Sequence, residues 1–141
     1  MINNKKSVLF LCSHNSCRSQ IAEGFLNTLY NNSYEAFSAG IIPTNVNPYA
    51  VEVMKEIGID LSKHYSKSID EFKDKKFDVV VTVCDGAKEA CPFFPGKKII
   101  HKSFKDPANS SGSLDETFRR FRSNRDLIKI WIQETFGELN G

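Results

Sequence analysis

The chain has 141 residues, 40% of them hydrophobic and 26% charged, and these proportions are typical of one globular domain, taken here as residues 1–141. Its 19 basic and 17 acidic residues give a formal net charge of +2, which argues against nucleic acid as the main ligand. No apolar stretch has the length of a signal peptide or a membrane span, so we expect a cytoplasmic protein with no membrane partner, and we take it to be a monomer.

The first half of the chain predicts two strands and two helices in alternation. Residues 7–12 form a nearly continuous apolar run, which is typical of a strand buried on both faces. An apolar stripe at helical spacing follows it, formed by Ile21, Ala22, Phe25 and Leu29. Ser19 is placed to cap the start of this helix. Residues 34–38 predict the second strand, and Asn47 with Pro48 predicts the start of a second helix that Gly58 ends.

The second half predicts two more strands and a long helix. Residues 77–83 give the strongest strand pattern, and residues 97–101 give a weaker fourth one. The long helix begins near Leu114, and its apolar stripe is formed by Phe118, Phe121, Ile128, Trp131 and Ile132. Its arginines lie largely off this stripe and are interpreted as a solvated face: Arg119, Arg120, Arg122 and Arg125. The alternation predicts an α/β fold, with a small four-stranded parallel sheet flanked by helices on both faces.

The loop between the first strand and the first helix predicts an anion site. In this position backbone N–H groups converge on an oxyanion, and the helix dipole adds to them. Cys12 begins the loop and Arg18 ends it, and the guanidinium of Arg18 can hold two oxygens of the anion at once. The same surroundings, with a hydroxyl from Ser19, favour the thiolate of Cys12 and predict a nucleophile. The expected anion-binding residues are Ser13, His14, Asn15, Ser16, Cys17, Arg18 and Ser19.

Three of these residues, Cys12, Cys17 and His14, also have a purely structural interpretation. Cysteine is among the most buried residue types, so Cys12 can be a packed residue at a strand end, although its spacing to Arg18 favours chemistry. Cys17 can be a second thiol, but packing is the better interpretation. His14 is better explained as a solvated loop residue than as a base, because a stabilised thiolate needs no base.

A second pair of cysteines, Cys84 and Cys91, follows the third predicted strand, at the edge of the sheet where Cys12 also lies. In a reducing cytosol, cysteines at such spacings are more often catalytic or metal-binding than permanently bridged. Structural zinc sites usually have about two to four residues between paired cysteines. Here four residues separate Cys12 from Cys17 and six separate Cys84 from Cys91, so the spacing disfavours zinc.

Residues 8–19 resemble the phosphate-binding loop of the low-molecular-weight protein tyrosine phosphatase fold, in which a cysteine is separated by five residues from an arginine and a serine. That fold carries its general acid in an aspartate-proline pair on a late loop, and Asp106 with Pro107 stands in the matching place. Without the resemblance, an aspartate before a proline is a common turn residue. Two activities share this scaffold: phosphomonoester hydrolysis, and arsenate reduction coupled to thioredoxin.

The second cysteine pair decides between these two activities in favour of the reductase. Cys84 and Cys91, together with residues 38–40 and 58–60, are similar to the thioredoxin-coupled arsenate reductases, and the resemblance covers nearly the whole chain. A reductase must move two electrons, and two thiols that join in a disulfide supply them. A phosphatase has no use for these thiols.

The resemblance implies a role for each site residue. Cys12 would attack arsenate held by Arg18, and Asp106 would protonate the departing oxygen. Cys84 would then form a disulfide with Cys12, and Cys91 would resolve it. The implied partners are arsenate and thioredoxin, the electron donor, with no bound cofactor. The alternative is a phosphatase that acts through Cys12, Arg18 and Asp106.

Several of these reductases hold a potassium ion behind the anion loop, with ligands that match Asn15, Glu23 and Ser38 here. A threonine and an aspartate complete their site, and the corresponding positions carry Tyr65 and Lys67 in this chain. An ammonium beside the site would repel a second cation. We therefore expect no metal, with the Lys67 ammonium in place of the ion, donating to Glu23 and to the back of the loop. The alternative is that Lys67 points into solvent.

Overall fold

The structure is a computed structural model that describes residues 5–85, 93–108 and 111–137. Its strands are β1 (Lys6–Leu11), β2 (Tyr34–Ala39), β3 (Val79–Thr82) and β4 (Lys98–His101). They form one sheet in the order β2-β1-β3-β4, and each strand is parallel to its neighbours. The predicted α/β fold with a four-stranded parallel sheet is therefore confirmed.

In the described parts of the chain, three α-helices and one short 3-10 helix surround the sheet. The α-helices are α1 (Arg18–Leu29), α2 (Pro48–Lys55) and α3 (Leu114–Phe136), and the 3-10 helix is Ile69–Phe72. Within the described parts of the chain, no helix combines the length and the apolar character that crossing a membrane would require.

The start of α2 follows the sequence prediction, and the start of α1 does not. Asn47 caps α2, because its side chain accepts a hydrogen bond from the Tyr49 amide at 2.8 Å. The predicted cap of α1 by Ser19 is wrong, since this residue lies inside the helix and Cys17 is the residue that precedes it. The Ser19 hydroxyl instead bonds to the sulfur of Cys12 at 2.9 Å.

The sheet buries a separate hydrophobic cluster on each face, because successive side chains of a strand point in opposite directions. Val8 and Phe10 of β1 pack in the larger cluster with α1, α2 and α3. Leu9 and Leu11 lie in a smaller cluster, which the 3-10 helix helps to cover. All four side chains are fully buried, as expected of a strand with neighbours on both sides and a packed layer on both faces.

The central position of β1 brings the two cysteine-bearing loops to one place. Leu11 of β1 is paired with Thr82 of β3, and the Val83 amide donates to the Leu11 carbonyl at 2.9 Å. Because the two strands are parallel and in this register, Cys12 and Cys84 leave the sheet at the same edge. This is the carboxyl-end edge, where sheets of this kind bind ligands.

Arg125 of α3 contradicts the prediction of a solvated face, whereas Arg122 is exposed as predicted. Arg125 is only 9% exposed and donates to the Val53 carbonyl and to the Glu56 carboxylate, both at 2.9 Å. Arg122 binds the same carboxylate at 2.7 Å. The hydrogen bonds from Arg122 and Arg125 lower the pKa of Glu56 from its usual value. These arginines therefore hold α3 against α2, while Arg119 is exposed as predicted.

Candidate active site

The anion loop, residues 12–17, is shaped by close contact with the chain segment that follows β2. A Cβ atom on Gly40 would lie 2.8 Å from backbone atoms of Cys12, Ser13 and Asn15, so only glycine fits at this position. The amides of the two residues after Gly40 both donate to the Ser13 carbonyl at 3.0 Å. Asn15 adopts the left-handed backbone conformation (φ 51°), which asparagine tolerates better than most residues.

The sulfur of Cys12 forms a hydrogen bond with a buried hydroxyl. Cys12 is 2% exposed, and its Sγ lies 2.9 Å from the Oγ of Ser19. The same Oγ accepts a hydrogen bond from Nδ2 of Asn15 at 2.8 Å. Since that bond occupies an acceptor position, the single hydroxyl hydrogen of Ser19 is free to point at the sulfur. A hydroxyl in this position can donate a hydrogen bond to a thiolate.

Arg18 connects the anion loop with the segment between β4 and α3. Its guanidinium is almost fully buried, at 2% exposure of the residue. Nη1 donates to the Phe104 carbonyl at 3.0 Å, and Nη2 lies 3.8 Å from Oδ2 of Asp106. A guanidinium held in one orientation at a helix start is suited to binding two oxygens of a tetrahedral anion.

Asp106 lines the same cavity as Cys12 and Arg18. Its Oδ1 accepts a hydrogen bond from the Ala108 amide at 3.0 Å, and its side chain is 28% exposed. The cavity has a volume of about 130 Å³, and it is lined by Cys12, His14, Ser16, Cys17, Arg18, Thr44, Asp106 and Ala108. A thiol, a guanidinium and a carboxyl group thus line one space, and displacement at a tetrahedral oxyanion can use groups of these three kinds.

Cys17 and His14 also line the cavity, and each has its own hydrogen-bond partner. Cys17 is 4% exposed, and its thiol donates to Oδ1 of Asp106 at 3.7 Å. Burial, reinforced by the charge of Asp106, raises the pKa of Cys17, so this thiol stays protonated at neutral pH. The exposed His14 ring bonds through Nδ1 to the Ile42 carbonyl at 3.0 Å.

The structure places Cys84 at the edge of the sheet where Cys12 lies, fully buried. Cys84 is disulfide-bonded, whereas Cys12 and Cys17 are free thiols. One cysteine at this edge is therefore reduced while another is oxidised. The predicted third redox cysteine, Cys91, lies outside the described residues.

A hydrogen-bond network behind the loop centres on Gln20, which no sequence motif indicates. Gln20 is fully buried, and its Nε2 donates to both oxygens of Asn15 and to the Tyr65 carbonyl at 2.9–3.1 Å. Its Oε1 bonds to Nδ1 of His64 at 2.8 Å. The one feature of the sequence that points to Gln20 is the position of this polar side chain directly beside the apolar stripe of α1. This network holds Asn15 from behind.

Lys67 is only 9% exposed, so the alternative that it points into solvent is wrong. Its Nζ donates to the Tyr65 carbonyl at 3.0 Å and lies 4.6 Å from the centre of the Tyr65 ring. The expected hydrogen bond from this ammonium to Glu23 is not formed, and the Glu23 carboxylate instead accepts from Oγ of Ser38 at 2.5 Å. The backbone amide of Lys67, and not its ammonium, supports the loop by donating to Oδ1 of Asn15 at 3.0 Å.

The residues behind the loop do not fit a bound cation. Burial lowers the pKa of Lys67, and the charges of Glu23 and Glu71 oppose this shift. Two of the side chains that match potassium ligands already accept hydrogen bonds, Glu23 from Ser38 and Asn15 from the Lys67 amide. A cation would have to displace these donors beside a buried ammonium, which Coulomb repulsion disfavours.

The chain is similar in sequence and in fold to known enzymes. Residues 7–129 match the family described as low molecular weight phosphotyrosine protein phosphatase. The chain is 46% identical over 136 residues to an arsenate reductase from Halalkalibacterium halodurans, covering 96% of this chain and 97% of that protein. A solved arsenate reductase in its phosphate-binding state aligns with a TM-score of 0.80 at 31% identity, covering 94% of this chain and 98% of the other. A thioredoxin-dependent arsenate reductase from Corynebacterium glutamicum aligns with a TM-score of 0.62 at 26% identity, covering 96% of this chain and 65% of the other.

Proposed function

Because this chain belongs to the low molecular weight phosphotyrosine protein phosphatase family, we propose that it uses the anion site of that family to reduce arsenate to arsenite. The observation that carries the proposal is the meeting of two features at one edge of the sheet. One is the Cys12 thiol, which is bonded to Ser19 and shares a cavity with Arg18 and Asp106. The other is Cys84, a disulfide-bonded cysteine for which ester hydrolysis has no use.

The first step forms a bond between sulfur and arsenic. Arsenate binds to the amides of the loop and to Arg18, and the Cys12 thiolate, stabilised by Ser19, attacks arsenic. One arsenic–oxygen bond breaks. Asp106 in its protonated form gives its proton to the departing oxygen, which leaves as water.

The second step is the reduction itself. The Cys84 thiolate attacks the sulfur of Cys12, the sulfur–arsenic bond breaks, and its electron pair passes to arsenic, which leaves as arsenite. The two thiols are thereby oxidised to a Cys12–Cys84 disulfide. Cys91 then attacks Cys84, which frees the Cys12 thiolate and leaves a Cys84–Cys91 disulfide. Two electrons have moved from the protein to arsenic.

Thioredoxin is the proposed donor that returns the cysteine pair to its dithiol form, and the thioredoxin-dependent relative from Corynebacterium glutamicum supports this choice. The cycle uses no bound cofactor, because the thiols themselves supply both electrons. It is suited to the cytoplasm, where cellular reductants keep thiols reduced.

The anion loop is proposed to be preorganised without potassium. Asn15 is held by Gln20 and by the amide of Lys67, which replace metal–oxygen contacts with hydrogen bonds. The buried Lys67 ammonium, bonded to the Tyr65 carbonyl, supplies the positive charge in this region. The loop then keeps its shape whichever monovalent cation is in solution.

The function is tested by giving the purified protein arsenate with thioredoxin, thioredoxin reductase and NADPH, and separately an aryl phosphate ester. We expect arsenate-dependent oxidation of NADPH and slow ester hydrolysis, because the loop cannot fully distinguish two tetrahedral oxyanions of similar charge. If a folded, reduced protein oxidised no NADPH in response to arsenate, the proposed function would be wrong. Fast ester hydrolysis in that case would establish the phosphatase instead.

The order of the thiol steps is tested by trapping. Cys12→Ser should abolish reduction, whereas Cys91→Ser should permit one turnover and accumulate the disulfide between Cys12 and Cys84. Mass spectrometry after alkylation identifies the trapped species. Repeated turnover of Cys91→Ser at the parental rate with thioredoxin would show that Cys91 is not the resolving thiol.

A further inference from the structure

The backbone on both sides of Asp106 is fixed by side chains of α3. Nδ2 of Asn124 donates to the carbonyl of Lys105, the residue before Asp106, at 3.0 Å. Nε of Arg120 donates to the carbonyl of Pro107, the residue after it, at 3.2 Å. The Asp106 residue thus lies between two hydrogen bonds from one helix.

Arg120 and Asn124 share one face of α3, because residues four apart in a helix are neighbours. Thr117 continues this face, and its hydroxyl accepts from Nη2 of Arg120 at 3.3 Å. The helix is anchored in the core by Phe121 and Ile128, which are buried in the larger cluster. The two donors therefore project from a rigid element, whereas residues 102–108 are neither helix nor strand.

The burial of Asn124 indicates a role other than packing. The residue is 6% exposed, and its side-chain oxygen has no hydrogen-bond partner among the residues that the structure describes. Burying an unpaired amide oxygen destabilises a fold, so an apolar residue would serve better if Asn124 only filled space. What the asparagine adds is the hydrogen bond to the Lys105 carbonyl. Arg120 is likewise directed at backbone, donating to the carbonyls of Pro107 and Ser111.

The Asp106 carboxyl is held only loosely from the side of the cavity. Its oxygens lie 3.8 Å from Nη2 of Arg18 and 3.7 Å from Sγ of Cys17. Its short hydrogen bond, at 3.0 Å, comes from the Ala108 amide within its own turn. The placement of this turn therefore determines where the carboxyl lies relative to the anion loop.

We propose that Asn124 and Arg120 are positioning residues that set the location of the Asp106 carboxyl for proton transfer to the departing oxygen. The proposal rests on the role of Asp106 in the proposed function. Neither residue lines the cavity, so both act through the backbone of the Asp106 turn. Removing either donor displaces the acid and leaves the nucleophile in place.

The proposal is tested by the rate of arsenite formation in a single turnover of the fully reduced protein. The variants are Asn124→Leu, which keeps the size of the side chain, and Arg120→Met, which keeps its apolar stem. We expect each to lower the rate at saturating arsenate by about tenfold or more, because small displacements of a catalytic group have effects of this order. The arsenate concentration that gives half the maximal rate should change by less than about twofold, since the loss is confined to the transition state. The exposed neighbours Arg119→Ala and Ser123→Ala are the matched controls and should keep the parental rate.

A double-mutant cycle with Asp106→Asn separates positioning from general stability. In that background Asn124→Leu should have no further effect, because position 106 no longer carries a carboxyl proton for Asn124 to position. An equal loss of rate in both backgrounds would overturn the proposal, and so would parental rates for both Asn124→Leu and Arg120→Met.

Two further outcomes are decisive. If Asp106→Asn itself kept the parental rate, the acid role of Asp106 and this proposal would both be wrong, while arsenite formation would still support the proposed function. If Asn124→Leu did not fold by circular dichroism, Arg120→Met, whose side chain is less buried, would take its place in the same cycle.

Discussion

Replacing Ser19 by alanine should weaken the nucleophile without changing the rest of the cavity. The variant removes one hydroxyl, which lies 2.9 Å from the sulfur of Cys12 and accepts a hydrogen bond from Asn15 at 2.8 Å. Ser19 is fully buried, so the lost hydroxyl has no ready substitute from solvent.

The size of the effect follows from these two hydrogen bonds. A hydrogen bond to a charged group contributes about 1.5–3 kcal/mol, and about 1.4 kcal/mol is a factor of ten. The reactivity of the Cys12 sulfur should therefore fall by up to about tenfold to a hundredfold. The Asn15 amide loses its acceptor as well. An unpaired buried donor costs about 1–3 kcal/mol, so the free energy of unfolding should fall by a similar amount.

The rate of alkylation of Cys12 by iodoacetamide near neutral pH measures the thiolate, because only the thiolate reacts. Ser38→Ala is the matched control, since this serine is equally buried but donates to Glu23. Its alkylation rate should stay at the parental value. A folded Ser19→Ala protein that is alkylated at the parental rate would refute the assignment of Ser19 as the group that stabilises the thiolate.

Three further changes test separate parts of the structure. Exchange of potassium for sodium at constant ionic strength should leave arsenate affinity and melting temperature unchanged, whereas Lys67→Ala should lower both by removing the ammonium behind the loop. A saturable increase of either the affinity or the melting temperature with potassium concentration would contradict this. Glu56→Gln should lower the melting temperature at neutral pH, because hydrogen bonds from Arg122 and Arg125 lower the pKa of this carboxyl. A carboxyl whose pKa is lowered on folding stabilises the fold above its unfolded pKa, and this contribution is lost as the pH falls through its folded pKa. The parental protein and Glu56→Gln should therefore melt at the same temperature in acid. A difference in melting temperature that persists there would refute the reasoning. Cys17→Ser should keep most of the activity, because the raised pKa of this thiol keeps it protonated; complete loss of turnover in a folded variant would assign it a role in the chemistry.

The elements that could be predicted from the sequence are those with local causes. Cys12 and Arg18 lie in one short loop between a strand pattern and a helix pattern, so their proximity needs no knowledge of the fold. The cap of α2 by Asn47 needs only the amide of Tyr49, two residues away. Ser19 marks the limit of this reasoning. A serine near a helix start is a common cap, and only the packed structure shows that its hydroxyl bonds to Cys12.

The residues that the sequence does not single out have distant partners. Gln20 bonds to a carbonyl 45 residues away, and Arg125 bonds to one 72 residues away. Helical periodicity assigns Arg125 to a polar face, but it cannot show that α2 packs over that face. Asn124 escapes notice in the same way, because its partner lies on a loop whose course depends on the sheet. The lysine at position 67, where the resembling reductases carry an aspartate, is visible in the sequence. Its hydrogen bond to the Tyr65 carbonyl depends on the local fold and is not.

The position of β4 at the end of the strand order has a consequence for the behaviour of the protein at high concentration. The outer backbone groups of an edge strand are a template for pairing with a strand of another chain, which leads to aggregation. Three exposed lysines lie on or beside this strand: Lys97, Lys98 and Lys102. A second copy aligned along the same edge would bring these like charges together. The lysines therefore favour solubility, and they keep β4 as the last strand of the sheet.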